Sequence, residues 1–443
     1  MDDRRKPLKR TCRREGEDMI AAIVFVIMIG LMVFNVPIAI CTALATVGGI
    51  AYTQDVPMMV FVQRMFTGMD TFTLIAVPLF ILCGRFMALG GITNDLISMS
   101  RVMVGYFKGG LAYINIVASM LFAGITGSAA SDTSSVGAIL IPAMEERGFD
   151  KDFSVAVTAT SSTIGVMIPP SIPMVVYGAS SGASIGKLFL GGIVPGIITG
   201  IALMILSGII ARRRDYPRDA FVGIKKSIII TLKGIPALMT VIIILGGIVG
   251  GVFTPTEAAG IAALYAFLLG KFYYRELKFR DIPKMLAEVA LTTGQVALMI
   301  ATASSLAWLF AQQGVPGMIG GFITGITTNK IALLLIINAL LLFVGTWLDL
   351  SPAVIIFTPI LLPIVTSIGI DPVHFGVIMV VNLAIGLFTP PVGVCLFVSC
   401  GIAKCSISYV VKAFIPFLIV MIGVLLLITY VPALVMTIPN LLM

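Results

Sequence analysis

Pro169-Pro170 and Pro390-Pro391 each interrupt an apolar segment, and they stand 221 residues apart. Shifting the chain by that offset superposes its other helix-breaking residues without a gap. Gly124 falls on Gly345, Pro142 on Pro363, Gly148 on Gly369, Asp150 on Asp371, Gly165 on Gly386 and Pro195 on Pro416. Few other residues coincide. What repeats is backbone geometry, because Pro removes a donor, fixes its own φ and restricts the residue before it. Looser echoes lie upstream, "DVP" from residue 55 against "DIP" from 281, and Pro37 against Pro255.

The breaks lie in a chain that is 58% hydrophobic, well above the roughly 45–50% of a soluble domain. Segments near the ~20 apolar residues of a membrane-spanning helix recur along almost its whole length. Runs such as "VIIILGGIVGGVF" are apolar on all sides, unlike the alternating strands of an outer-membrane barrel. The chain reads as an all-α, polytopic membrane protein. Its net charge of +8 is clustered. Seven of 29 Lys and Arg fall in residues 1–18, seven between Arg212 and Lys233, and five between Lys271 and Lys284. Basic clusters beside spans mark cytoplasmic loops, so the charge reports orientation and no nucleic-acid partner is expected. The tail 1–18 has no cleavage site before its apolar run, so it is no secretory signal. Met19 would be a natural start.

Two halves with interrupted segments at matching places point to a transporter binding site. Non-helical backbone survives at membrane depth only inside protein or along a polar cavity. Each G-x-x-x-P-P frees carbonyls one turn upstream, which with nearby hydroxyls make an oxygen-rich nest for a small hard cation. The half-helix N-termini that follow suit a carboxylate. The first half supplies Ser128, Ser131, Asp132, Thr133 and Ser134 from "GITGSAASDTSS", then Ser161, Ser162, Thr163, Gly165 and Pro169. The second supplies Asp349, Ser351, Asn382, Gly386, Thr389 and Pro390. Single hydroxyls also glue membrane helices together, but a symmetric constellation is harder to explain that way. Acids inside a membrane are costly. Asp132 and Asp349 are therefore read as cation ligands, with helix N-caps at hairpin tips as the competing reading.

Residues 109–145 and 331–363 are expected to form hairpins of two half-length helices. Segments 55–70 and 281–290 are expected to lie amphipathically at the interface. Other motifs are structural. "TPTE" (254–257) reads as a capping box, and Gly192-Gly196-Gly200 and Gly317-Gly321-Gly325 as packing ridges. "GASSG" (178–182) matches the hydrolase elbow but lacks its strand–turn–helix context and a His partner, so no enzyme is expected. The six Cys show no metal spacing, and His374 is the one His.

From about Met19 to the end, the chain resembles the large membrane subunit, DctM-like, of tripartite ATP-independent periplasmic (TRAP) transporters. The likeness is carried by "FAGITGSAASDTSSVGAILIPAMEERGFDKDFSVAVTATSSTIGVMIPPSIP", "GVFTPTEAAGIAALYAFLLG" and "GTWLDLSPAVIIFTPILLPIVTSIGIDPVHFGVIMVVNLAIGLFTPPVGV". The resemblance implies an inverted-repeat, elevator-type secondary transporter of a bacterial inner membrane, with two re-entrant helical hairpins and broken helices. It implies a charged tail (1–18), scaffold parts (19–108 and 212–330) and transport parts (109–211 and 331–443). It implies sodium as coupling ion, one per half, at Ser161 and Gly165 and at Asn382 and Gly386, and no other cofactor. It implies two protein partners, a small four-helix membrane subunit and a periplasmic binding protein. The cargo would be a small organic anion, of the C4-dicarboxylate, keto-acid or sugar-acid class. The charged tail departs from the family pattern, as does Cys395, where relatives often carry a polar side chain. The alternative is a stand-alone ion-coupled organic-anion transporter of the same superfamily.

Overall fold

A computed structural model describes residues 19–443 except 21, 33, 35, 54–55, 220–222, 316 and 319–328. The charged tail, the break at Asn35 and the glycines Gly321 and Gly325 lie outside the described residues. Every regular element among those described is helical. Six helices are long and apolar enough to cross a membrane.

The 221-residue offset is realised element by element. The first half contains α6 (Gly110–Thr126), α7 (Ala129–Glu146), α8 (Lys151–Ser161), α9 (Ile172–Ser181) and α10 (Ile185–Arg213). The second contains α14 (Lys330–Gly345), α15 (Leu350–Ser367), α16 (Pro372–Gly386), α17 (Val394–Ala403) and α18 (Ile407–Tyr430). In each half a hairpin is followed by a helix broken at a cis Pro-Pro and then by a long span. The other elements are α1 (Ala22–Met32), α2 (Ile38–Thr53), α3 (Met59–Met69), α4 (Ala76–Leu89), α5 (Ile92–Val104), α11 (Ile224–Val249), α12 (Pro255–Leu268), α13 (Ile282–Gln312) and α19 (Ala433–Leu442).

Contacts at the hairpin bases show that the halves are inverted. The Gly109 N–H donates to Pro217 O at 3.0 Å, and Arg147 pairs with Asp219 at 2.6 Å. Both ends of the first hairpin thus lie beside the basic loop after α10. Lys151 Nζ donates to Ala403 O at 2.8 Å, so the α17–α18 turn lies on that face too. From there α18 runs 24 residues, about 36 Å at 1.5 Å per residue. At its far end Tyr430 Oη donates to Ile331 O at 2.9 Å, at the base of the second hairpin. His374 Nε2 meets Ile428 O, 3.0 Å away, on the same face. The two hairpins therefore enter from opposite faces.

Packing crosses between the halves. α9 lies against α15 and α16 of the second half, and α17 against α7 and α8 of the first. The Gly192 and Gly196 ridge lets α10 close on the first break; a Cβ at either would collide with Met167 or Ile168. Away from the hairpins, α4 packs on α12 through Ala258, Ala259, Ala262 and Ala266, all fully buried. Small residues allow such close approach.

Two expectations are corrected. The hairpin arms have 16 to 18 residues, about 25 Å. That is well over half of a ~30 Å hydrocarbon core. Pro142 and Pro363 lie inside helices without ending them. Residues 281–290 form no separate interfacial segment but the start of the 31-residue α13. Pro283 falls in the first turn of α13, where its missing N–H costs nothing, and no breaker follows.

Candidate functional site

Each hairpin tip is stitched to the break of its own half. At the first tip, α6 ends at Gly127 in the left-handed region (φ 61°). A Cβ there would lie 2.5 Å from Pro170 O, so both the conformation and the space demand glycine. Gly127 O accepts from Ile172 N–H at 3.3 Å, just past Pro169-Pro170. At the second tip, Thr346 O accepts from Val392 N–H at 3.3 Å, just past Pro390-Pro391. Gly165 lies under the first tip, near the backbone of Ser128 and Ala129, and Gly386 lies directly against Gly345.

Behind the tips is a buried polar interior. In the first half Asn115 Nδ2 donates to Thr158 Oγ1 (2.6 Å), and Ser119 Oγ to Ser161 Oγ (3.1 Å). In the second, Asn382 Nδ2 donates to Asn338 Oδ1 (2.9 Å), and Asn338 Nδ2 to Thr429 Oγ1 (3.0 Å). Several buried oxygens stay unpaired: both carboxylate oxygens of Asp132, Thr126 Oγ1, Ser162 Oγ and Asn382 Oδ1. Asp132 is fully buried, with the Ser119 and Ser162 hydroxyls nearby. Leaving a buried polar group unpaired costs about 1–3 kcal/mol, and more for a charge. All these atoms are oxygens, the donor type of a hard cation. Among the described residues no three His, Cys, Asp or Glu gather as a metal cluster.

In front of the tips is a cavity of about 220 Å³. Ser128 and Ala129 line it from the first hairpin, Asp349, Leu350 and Ser351 from the second, and Thr292 and Gln295 from α13. The first residues of α7, α9, α15 and α17 all reach its wall, and among the described residues no Lys or Arg does. Four helix N-termini thus meet at one small space, although the Ile172 N–H is taken by Gly127 O and the Cys395 N–H by Leu387 O. Backbone N–H groups and dipoles of this kind favour an anion.

The residues singled out from the sequence divide by place. Ser128 and Asp349 hold equivalent positions as N-cap residues of α7 and α15, and both line the cavity with Ser351. Asp132 is no N-cap; it lies one turn inside α7, so the capping explanation does not apply to it. Ser161, Ser162, Gly165, Asn382 and Gly386 gather behind the tips. Thr133, Thr163 and Thr389 donate to carbonyls of their own segments, Ala129, Thr160 and Ile385. Ser131 is half-buried, while Ser134 is exposed and donates to Ser131 O. Pro169 and Pro390 form the cis breaks.

Asn115, Ser119, Thr126, Asn338, Thr292 and Gln295 escaped the sequence reading. Asn115, Asn338 and Gln295 are legible in the sequence as amides in apolar helices, but they do not coincide at the 221-residue offset. Cys395 is buried beside the Thr133 hydroxyl. "TPTE" forms the expected capping box on α12. "GASSG" is the C-terminal end of α9, closed by Gly182 at φ 74°, so its serines sit on no elbow.

Inverted halves that each set a helical hairpin against a broken helix define a transporter-like architecture. The same fold is seen in the YdaH transporter of Alcanivorax borkumensis, with a TM-score of 0.61 at 14% identity over 86% of this chain and 88% of that one. At the level of sequence the match is specific: the chain belongs to the family of the tripartite ATP-independent periplasmic transporter, DctM component, which it matches over residues 25–434. It is 37% identical to the C4-dicarboxylate TRAP transporter large permease protein DctM of Vibrio cholerae, over 96% of this chain and 98% of that one. It is 45% identical to the isethionate TRAP transporter permease protein DctMQ of Oleidesulfovibrio alaskensis, over 91% of this chain and 64% of that one. It is 36% identical to the sialic acid TRAP transporter large permease protein SiaM of Vibrio cholerae, over 93% of this chain and 97% of that one. The chain is a TRAP large permease, a multi-pass protein of the inner membrane.

Proposed function

We propose that this permease takes up a small organic anion, driven by an inward sodium gradient. The anion is handed over by a periplasmic binding protein while a small membrane subunit braces the complex. The observation that carries this reading is one arrangement. Unpaired buried oxygens of Asp132, Ser162, Thr126 and Asn382 lie behind the hairpin tips. A cavity ringed by helix N-termini lies in front of them. A cation held behind the tips would fix the hairpins and so shape the anion site, which couples the two ligands through one element. The substrate class follows the relatives, whose names specify C4-dicarboxylate, isethionate and sialic acid.

Hairpins that enter from opposite faces fit a transport body that slides past a fixed scaffold of α4, α11, α12 and α13. The test is uptake in vesicles from which the small subunit, the binding protein or sodium is omitted in turn. Uptake is expected only with all three present. Equal uptake on potassium would refute sodium coupling. Sodium-driven uptake by this chain alone would instead establish the stand-alone transporter.

A further inference from the structure

We propose that Gln295 of α13 contacts the transported anion directly, making the cavity two-walled. Its second wall would be an element outside both hairpins and both broken helices. This rests on the transport reading above.

An anion must be met by hydrogen-bond donors, and the cavity has few side chains that can donate. Among the described residues no Lys or Arg lines it. Asp349 offers a carboxylate. Thr292 already gives its proton to Glu288 O at 3.0 Å. Ser128, Ser351 and Gln295 remain, and none of the three side chains makes a hydrogen bond among the described residues. Two of them sit on the hairpin tips. Gln295 faces them from near the middle of a 31-residue apolar helix.

Gln295 is exposed, and it borders an apolar outer hollow with Ala290, Leu291 and Leu298; the cavity, with Ser128, Asp349 and Ser351 on its wall, supplies the polar partners its amide needs. Gln295 also borders a second hollow of about 600 Å³, next to Trp347 and Leu348 at the second tip. It thus stands where the inner cavity meets the space outside it. Its amide offers two N–H donors to a carboxylate or sulfonate, and its carbonyl oxygen can accept from a hydroxyl of the same ligand. Leucine has nearly the same reach and neither capacity.

The test uses the complete complex in vesicles under an inward sodium gradient, with ¹⁴C-labelled succinate and 2-hydroxyethanesulfonate as probes. Thermal stabilisation of the purified complex by sodium is measured in parallel. Gln295→Leu is expected to cut initial uptake about ten-fold or more, the scale of a lost hydrogen bond to a charged group. Gln295→Asn should recover part of the rate. Gln295→Glu should fall below the leucine variant, because it sets a carboxylate against the anion. Stabilisation by sodium should persist in all three, since the unpaired oxygens lie on α6, α7 and the broken helices. Parental uptake by Gln295→Leu would overturn the contact, as would loss of sodium stabilisation together with uptake. The parent complex, run alongside, tests the transport reading separately: uptake there with an unaffected leucine variant refutes the contact alone.

Discussion

Asp132 carries the sharpest expectation at the residue scale. Its carboxylate is fully buried, with the Ser119 and Ser162 hydroxyls beside it but no partner at good hydrogen-bond geometry and no cationic side chain among the described residues paired with it. Asp132→Asn keeps the shape and removes the charge. In the absence of sodium the variant is expected to be at least as stable as the parent, because an uncompensated buried charge is gone. Its stabilisation by sodium and its uptake should both be lost. A melting series with and without sodium, paired with uptake, checks this. Asp349→Asn should also lose uptake while keeping the hairpin intact, since Asn is as favourable an N-cap residue and the Asp349 side chain makes no capping bond to lose. The two repeat-related glycines should differ. A methyl group at Gly386 would collide with the Gly345 carbonyl, whereas one at Gly165 meets nothing nearer than 3.7 Å. Gly386→Ala is therefore expected to destabilise by about 1–3 kcal/mol and Gly165→Ala to be tolerated, as measured by denaturation. The glycines, prolines and tip residues were legible because backbone breaks recur at a fixed offset. Asp132's isolation and Gln295's exposure to the cavity were not, because both depend on which helix face meets which neighbour across hundreds of residues.

Among the elements, α8 and α10 are joined at the basic face by a polar latch. Tyr216 Oη donates to Asp150 Oδ2 at 2.6 Å, and Arg214 pairs with Asp150 and Asp152 at 2.8 and 2.9 Å. Tyr216 also packs on Phe149 and Phe153. The tyrosine hydroxyl first, and then Arg214, hold the Asp150 carboxyl below its ordinary range. A carboxyl depressed in the folded state adds stability above its unfolded value, near 4. That contribution is lost as pH falls through the depressed value. Tyr216→Phe should therefore lower stability at neutral pH and flatten its decline in acid, read from melting temperature against pH. At this scale the hairpins, broken helices and capping box could be read from breakers and caps. The full length of α13 could not, because a proline in a first turn and a proline in a break look alike in sequence.

For the molecule as a whole, inversion makes a prediction about sides. Arg147 at the base of the first hairpin and Ser367 at the base of the second lie on opposite faces. Single cysteines placed there should react with an impermeant maleimide from opposite sides of oriented vesicles, Arg147→Cys from the cytoplasmic side. Labelling of both from one side would contradict the fold. The expected direction comes from the clustering of Lys and Arg. The crossed packing was not legible in the sequence, since it joins elements that neither charge nor periodicity relates.

That crossing bears on how such a chain could arise. α9 lies against the second hairpin and α17 against the first, so each half completes packing that the other begins. An ancestor encoding one half would have found the same packing as a pair of identical chains threaded into the membrane in opposite senses. Duplication and fusion would then have locked each copy into one sense, freeing the basic residues of the other to drift. On this account the faint likeness between the halves, mostly glycine and proline with the N-cap pair Asp150 and Asp371, is what remains of an ancient homodimer after its side chains diverged and its folds could not.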